Sequence, residues 1–245
     1  MRTAELFQPV GLGPGDTILA LDAAGGVCSV ALGRVGHAGV TLLAAERRDL
    51  QFGHAAVLVP MIEAVMAAAG LTLQRVDCIA VGIGPGGFTG LRIALATARG
   101  LGLALGKPVI GLSNFQASAA NLPADATIPG DIVVLIDSRR AEPYAARLAP
   151  DLAFRAPPAL MSPAEIAALI ADSGTAIVTG DGLADWSQPL PPACRAISAT
   201  ADALAILRLA ADAGGKFQLP PLPSYLRPPD AALPANTSLP GVVST

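Results

Sequence analysis

The decapeptide Gly84-Pro85-Gly86-Gly87-Phe88-Thr89-Gly90-Leu91-Arg92-Ile93 separates an apolar run, Cys78 to Ile83, from an apolar helical pattern, Leu91 to Leu105. It reads as a strand-turn-helix junction whose chemistry is that of the backbone. Four glycines in seven positions permit positive φ and a close approach of main chain to its neighbours. The helix that follows opens with free N–H groups and the positive end of its dipole, a place suited to an anion. Arg92 adds a fixed charge one turn in. The spacing matches neither common nucleotide fingerprint. A Walker loop ends in Gly-Lys-Ser/Thr, whereas Gly90 precedes Leu91-Arg92, and the third glycine of a dinucleotide turn is replaced by Thr89. On these residues alone, a plain tight turn and an anion-receiving turn are equally good readings.

Working outward, Ile18 to Leu21 and Cys28 to Leu32 read as strands joined by Ala23-Ala24-Gly25-Gly26, with a further strand from Val40 to Glu46. A helix is expected over 54–69, with Leu58, Met61, Ile62, Val65, Met66 and Ala69 on one stripe. Pro60 must kink it or sit in its first turn. After the junction comes a strand at Val109 to Leu112. A second unit then repeats the first: Ile132 to Asp137 mirrors Ile18 to Asp22, a buried strand ending in Asp, with a returning strand at Tyr144 to Leu148. Helix 163–171, strand Ala176 to Thr179 and helix 200–213 complete it. Ser162-Pro163-x-Glu165 is a capping-box signature. The alternation predicts a mixed α/β fold.

Composition narrows the function. With 52% hydrophobic and 14% charged residues, 245 residues can bury one large core or two modest ones. The chain holds 16 basic against 19 acidic residues and no Lys/Arg-rich run, so it is not expected to grip an RNA backbone unaided. Cys28, Cys78 and Cys194 form no Cys-x-x-Cys pair and read as buried reduced thiols in strands. Met1 to Asp16 has no signal-peptide core, and the most apolar windows are interrupted by Pro60 and Glu63 or by Arg92 and Arg99. No membrane span is expected, and the chain reads as cytoplasmic.

Taken whole, segment 84–92 resembles the GPGSFTGLR signature of the TsaB (YeaZ) family, bacterial proteins needed to make threonylcarbamoyladenosine in tRNA. Four more segments resemble that family in the expected order: Ile18 to Asp22; His54 with Pro60-Met61-Ile62; Asp137-Ser138-Arg139-Arg140 with Tyr144-Ala145; and Pro223-Ser224-Tyr225-Leu226-Arg227. The resemblance covers roughly residues 17 to 228. It implies a duplicated, two-lobed actin/Hsp70/sugar-kinase-like (ribonuclease-H-like) fold. An N-terminal lobe is expected over 1–115 and a C-terminal lobe over 116–219, helix 200–213 packing back on the first. A Pro-rich tail, 220–245, is expected to be mobile from Pro228 onward.

In active members of that superfamily, carboxylates placed like Asp22 and Asp137 lie in the interlobe cleft and help hold a metal–nucleotide. Here Ala23-Ala24 stand where TsaB proteins commonly show Thr-Ser, so the cleft reads as vestigial. The plain alternative has both carboxylates bonded to backbone N–H groups of their own turns. No cofactor is required, and weak nucleotide binding stays open. His37 and His54 are too far apart to form a metal pair on one helix. The catalytic paralogue TsaD carries His-x-x-x-His where this chain reads Ser113-Asn114-Phe115-Gln116-Ala117-Ser118. No metal site is expected, an older glycoprotease description finds no zinc ligands, and Ser138 has no histidine beside it.

Helix 54–69 is apolar on two sides, the second formed by Ala55, Ala56, Val59, Ala67 and Ala68. A helix hydrophobic all round needs two burial partners. His54, Leu58, Val59, Ile62, Met66 and Ala67 are therefore the expected interface residues, and the glycine turn contributes Gly84, Pro85, Gly86, Gly87, Phe88, Thr89, Gly90 and Arg92. The resemblance implies a non-catalytic partner that binds and activates TsaD for threonylcarbamoyl transfer to the tRNA adenosine beside the anticodon. It also implies contact with the TsaE ATPase through the TsaB–TsaD complex, tRNA contact mainly via TsaD, and a homodimer when alone. The alternatives are an autonomous ATP-dependent small-molecule kinase of the same superfamily and a nucleotide-sensing module.

Overall fold

The structure is a computed structural model that describes residues 9–50, 52–127, 130–174, 176–212 and 214–226. Strand β1 (Thr17–Asp22) is buried along its whole length because both faces of its sheet are covered. Its alternating side chains serve two different cores. Leu19 and Leu21 join α1 (His54–Ala68) and α2 (Phe88–Leu105), whereas Ile18 and Ala20 join α5 (Ala203–Ala210) on the other face. β2 (Val27–Gly36) and the exposed edge strand β3 (Gly39–Asp49) follow antiparallel; β4 (Cys78–Gly82) and β5 (Val109–Leu112) run parallel to β1. The order is β3-β2-β1-β4-β5.

The second sheet repeats this plan. β6 (Asp131–Ile136), β7 (Tyr144–Leu148) and β8 (Ala159–Leu160) are antiparallel, with β9 (Ala176–Thr179) and β10 (Arg195–Ala196) parallel to β6, in the order β10-β9-β6-β7-β8. One face carries α3 (Asn114–Ala120) through Phe115 and Ala119; the other carries α4 (Pro163–Asp172) through Ile166 and Ile170. The duplication expected from the two Asp-ended strands is therefore present at the level of topology.

Several expectations shift. α2 begins at Phe88 instead of Leu91, with Leu91 N–H bonded to the Gly87 carbonyl at 3.0 Å. Pro60 lies inside α1 beyond its first turn, on the outward side, and so removes the hydrogen bond that the Ala56 carbonyl would receive. The expected helix 200–213 is only Ala203–Ala210, since Asp202 caps it by accepting from Ala205 N–H at 2.9 Å. α3 was not foreseen, and the lobe boundary expected at 115 falls inside it: Ala117 faces the first sheet while Phe115 and Ala119 face the second. The segment from 217 does not leave the molecule at 220. Leu219 pairs with Gly111 beside β5, and Ser224 N–H donates to the Ile83 carbonyl at 2.8 Å. Residues 227–245, with Arg227 and most of the expected tail, lie outside the described residues.

Cys28 in β2 and Cys78 in β4 are buried, and burial pushes their thiols up to about 11 and about 12, which makes them inert. Cys194 differs from expectation: it sits partly exposed in the turn before β10. α2 is as long and apolar as a membrane span, but Leu91, Ala94, Leu95 and Ala98 lie in the core of the first lobe.

Candidate functional site

Each central strand delivers an aspartate to the same end of its sheet. Asp22, the last residue of β1, is completely buried. One oxygen accepts from Asn114 Nδ2 at 2.9 Å, while the other has no partner among the described residues. Burial pushes its carboxyl up to about 7, and the Asn114 bond only partly opposes that. Gly82 faces this carboxylate, where a Cβ would overlap Asp22 Oδ1.

Asn114 also governs the glycine turn. Its Oδ1 accepts from Gly84 N–H at 2.9 Å, and its own N–H donates to the Gly84 carbonyl at 2.9 Å. Asp22, Asn114 and Gly84 thus form one buried chain of hydrogen bonds. Sequence reasoning passed over Asn114, noting only that no histidine stood there. Ser113 to Ser118 is buried as α3 and its N-cap.

The turn lies against the Ala23-Ala24 backbone. Gly87 N–H donates to the Ala24 carbonyl at 2.5 Å. A Cβ at Gly86 would overlap that carbonyl, and one at Gly90 would overlap the carbonyl of Ala23. Gly84, with φ of 93°, holds the positive φ that the turn was expected to need. Main chain therefore fills the space beyond β1, where phosphate-holding hydroxyls were looked for.

The second aspartate is differently held. Asp137, one residue past β6, accepts from Arg139 N–H at 2.6 Å within its own turn and pairs with the Arg139 side chain at 3.4 Å. That matches the plain reading of this residue; Asp22 differs in bonding also to a side chain 92 positions away. Asp181, just after β9, accepts from Asp137 N–H at 2.9 Å, and burial raises its carboxyl. Between the lobes lies a cavity of about 160 Å³, lined among others by Ala24, Gly26, Asn114, Ile136 and Asp181. Neither Asp22 nor Asp137 lines it. Among the described residues, no three His, Cys, Asp or Glu side chains gather to hold a metal.

On the surface, the turn and the C-terminal segment meet. The Arg92 guanidinium lies 3.6 Å over the Phe88 ring, and its Nε donates to Tyr225 Oη at 2.8 Å. The Phe88 and Tyr225 rings stack at 5.7 Å, both about half exposed.

α1 corrects the interface expectation. Leu58, Ile62 and Met66, proposed for a partner, are core residues packed on the first sheet. His54 is buried too: its Nε2 has no partner among the described residues, and its ring abuts Gly90. Of the expected set, only Val59 and Ala67 face outward. They share that side with Ala55, Ala56, Pro60, Glu63, Ala64 and Ala68, so Glu63 is its single charge. α2 packs beside α1.

Two five-stranded sheets of one topology, each with an aspartate at or just past the end of its central strand, define a duplicated, two-lobed α/β protein. The family model of TsaD, tRNA N6-adenosine threonylcarbamoyltransferase, matches residues 48–223. The chain is 36% identical over 132 residues to the tRNA threonylcarbamoyladenosine biosynthesis protein TsaB of Haemophilus influenzae, the match covering 52% of each. It is 34% identical over 129 residues to the protein of the same name in Escherichia coli, again over 52% of each. The chain thus spans about half the length of these curated relatives. A Pseudomonas aeruginosa crystal structure, described as an uncharacterized protein with similarity to peptidase YEAZ, aligns with a TM-score of 0.74 at 30% identity. That alignment covers 86% of this chain and 100% of that one. The chain belongs to the TsaB/YeaZ family.

Proposed function

We propose that the chain is a non-catalytic subunit of tRNA threonylcarbamoyladenosine biosynthesis, which binds TsaD and activates it for threonylcarbamoyl transfer to the adenosine beside the anticodon. The observation that carries this reading is the outward side of α1, eight positions with one charge, which nothing among the described residues covers. TsaD is the chosen occupant because TsaB relatives are named for the same modification that TsaD is named for. The cleft supports the non-catalytic part. Its cavity of about 160 Å³ is below the ~300 Å³ that small-ligand sites usually reach, and main chain occupies the turn beyond Asp22. A kinase of the same superfamily needs that space for its nucleotide. In this reading TsaE meets the chain through the TsaB–TsaD complex, tRNA is held mainly by TsaD, the isolated chain is a homodimer, and the protein works in the cytoplasm.

The test is reconstitution with TsaD from the same organism, threonylcarbamoyl-adenylate and substrate tRNA. Modification is expected with both proteins together and not with this chain alone. Modification by the isolated chain, or by TsaD at the same rate without it, sinks the proposal.

A further inference from the structure

The opposite end of the first sheet carries a recess unrelated to the cleft. β1 starts there at Thr17 and ends at Asp22, five residue steps or about 17 Å along the strand. The recess has a volume of about 540 Å³, within the ~300–1,000 Å³ range of small-ligand sites. Three cations reach it from three elements: Arg34 from β2, cross-strand partner of Thr17; Arg75 from the short helical turn Leu73–Arg75; and Lys107 from the loop between α2 and β5. One carboxylate, Asp77, joins them and is already engaged. It accepts from Thr17 N–H at 2.9 Å and from Lys107 Nζ at 3.4 Å.

Arg34 and Arg75 have no ion-pair partner among the described residues, whereas Arg47, Arg48, Arg139, Arg147, Arg155 and Lys216 each face a carboxylate. Three cations less one carboxylate leave two positive charges around one concavity, in a chain of net charge −3. Guanidinium forks match the oxygens of a phosphoryl group, and the Gln74 amide adds a neutral donor. The lining has no aromatic or aliphatic side chain on which a base could stack. An RNA strand would also need a track of cations along its backbone, and this group is confined to one recess.

We propose that this recess binds a small phosphorylated ligand by its phosphoryl groups, with Arg34 and Arg75 as the principal donors. Inorganic pyrophosphate is the probe, titrated calorimetrically into the full chain at 150 mM NaCl. One saturable site is expected. Arg34→Gln and Arg75→Gln should each weaken it about tenfold, the loss of one charge-assisted hydrogen bond. Arg99→Gln, which removes an exposed cation of α2 outside the recess, should leave it unchanged. Both recess arginines are exposed, so the variants should keep the parent's melting temperature. No saturable binding, or parental affinity in the double variant, overturns the proposal. So does a single-stranded RNA that binds more tightly than pyrophosphate and is weakened by the same two substitutions, for the recess would then be a nucleic-acid contact.

Discussion

Gly86 and Gly90 matter for the side chains they lack. Because a Cβ at either would overlap a carbonyl of Ala23 or Ala24, the backbone must shift to admit one. Gly86→Ala and Gly90→Ala should each destabilise by about 2–4 kcal/mol, as overpacked and strained sites do. Gly87→Ala, whose Cβ would stand 3.3 Å from the Ala24 carbonyl oxygen, should cost less than about 1 kcal/mol. Urea unfolding separates the cases; equal midpoints for Gly87→Ala and Gly90→Ala would show that the turn is not pinned. Asp22 sets a pH dependence. Its carboxyl titrates near 3.8 when unfolded and at about 7 when folded, so between those values the folded state keeps a proton that the unfolded state releases. Stability therefore falls as pH rises through roughly 4 to 7, by a few kcal/mol at most. Asp181, also raised by burial, acts in the same direction. Asp131 acts oppositely and only below its ordinary range, because bonds from Arg147 and Arg155 outweigh its desolvation. Asp22→Asn should flatten the stability profile between pH 4 and 7, and an unchanged slope would place the titration elsewhere.

At the scale of single elements, α1 shows how a periodicity divides one helix between two neighbours. The i, i+3, i+4 stripe was readable as the side that meets the sheet, yet its Leu58, Ile62 and Met66 were also expected at the interface, and one side of a helix cannot be buried against both. Packing assigns Leu58, Ile62 and Met66 inward and Val59 and Ala67 outward. Val59→Glu should therefore leave stability within about 1 kcal/mol, as exposed substitutions do. The same change should abolish co-purification with TsaD by placing an unpaired charge in a desolvated contact. A variant that is folded and still captured by TsaD moves the partner surface off α1. α4 was legible to its first residue: Ser162 N–H donates to Glu165 Oε2 at 2.8 Å, and Glu165 N–H returns to Ser162 Oγ at 3.4 Å. α3 was not, because its seven residues mix buried Asn114, Gln116 and Ser118 with apolar ones and leave no periodic stripe.

Across the whole molecule, α5 couples the lobes. It follows β10 of the second sheet yet packs on β1, β2 and β4 of the first. Ser29 Oγ accepts from Ala203 N–H at 2.8 Å, and Arg47 pairs with Asp202 at 3.6 Å. Leu207 is fully buried against Gly33, whose missing side chain makes room for it. Leu207→Ala should cost about 2–5 kcal/mol, the range for a truncated core leucine. Trp186 packs with the second lobe's core, so its fluorescence should shift together with far-UV circular dichroism. If only the dichroism shifts, the lobes unfold independently. By itself, the sequence determined what is local: the central strands, the glycine junction, the capped helix and the repeat of an Asp-ended strand, each written in neighbouring residues or a short period. Only the tertiary structure decided that Asn114 holds Asp22, that α3 packs between the two sheets, and that Leu219 and Ser224 return to the first lobe. Those outcomes depend on groups far apart in the chain, and a local pattern marks a face as apolar or a carboxylate as buried without marking what meets it.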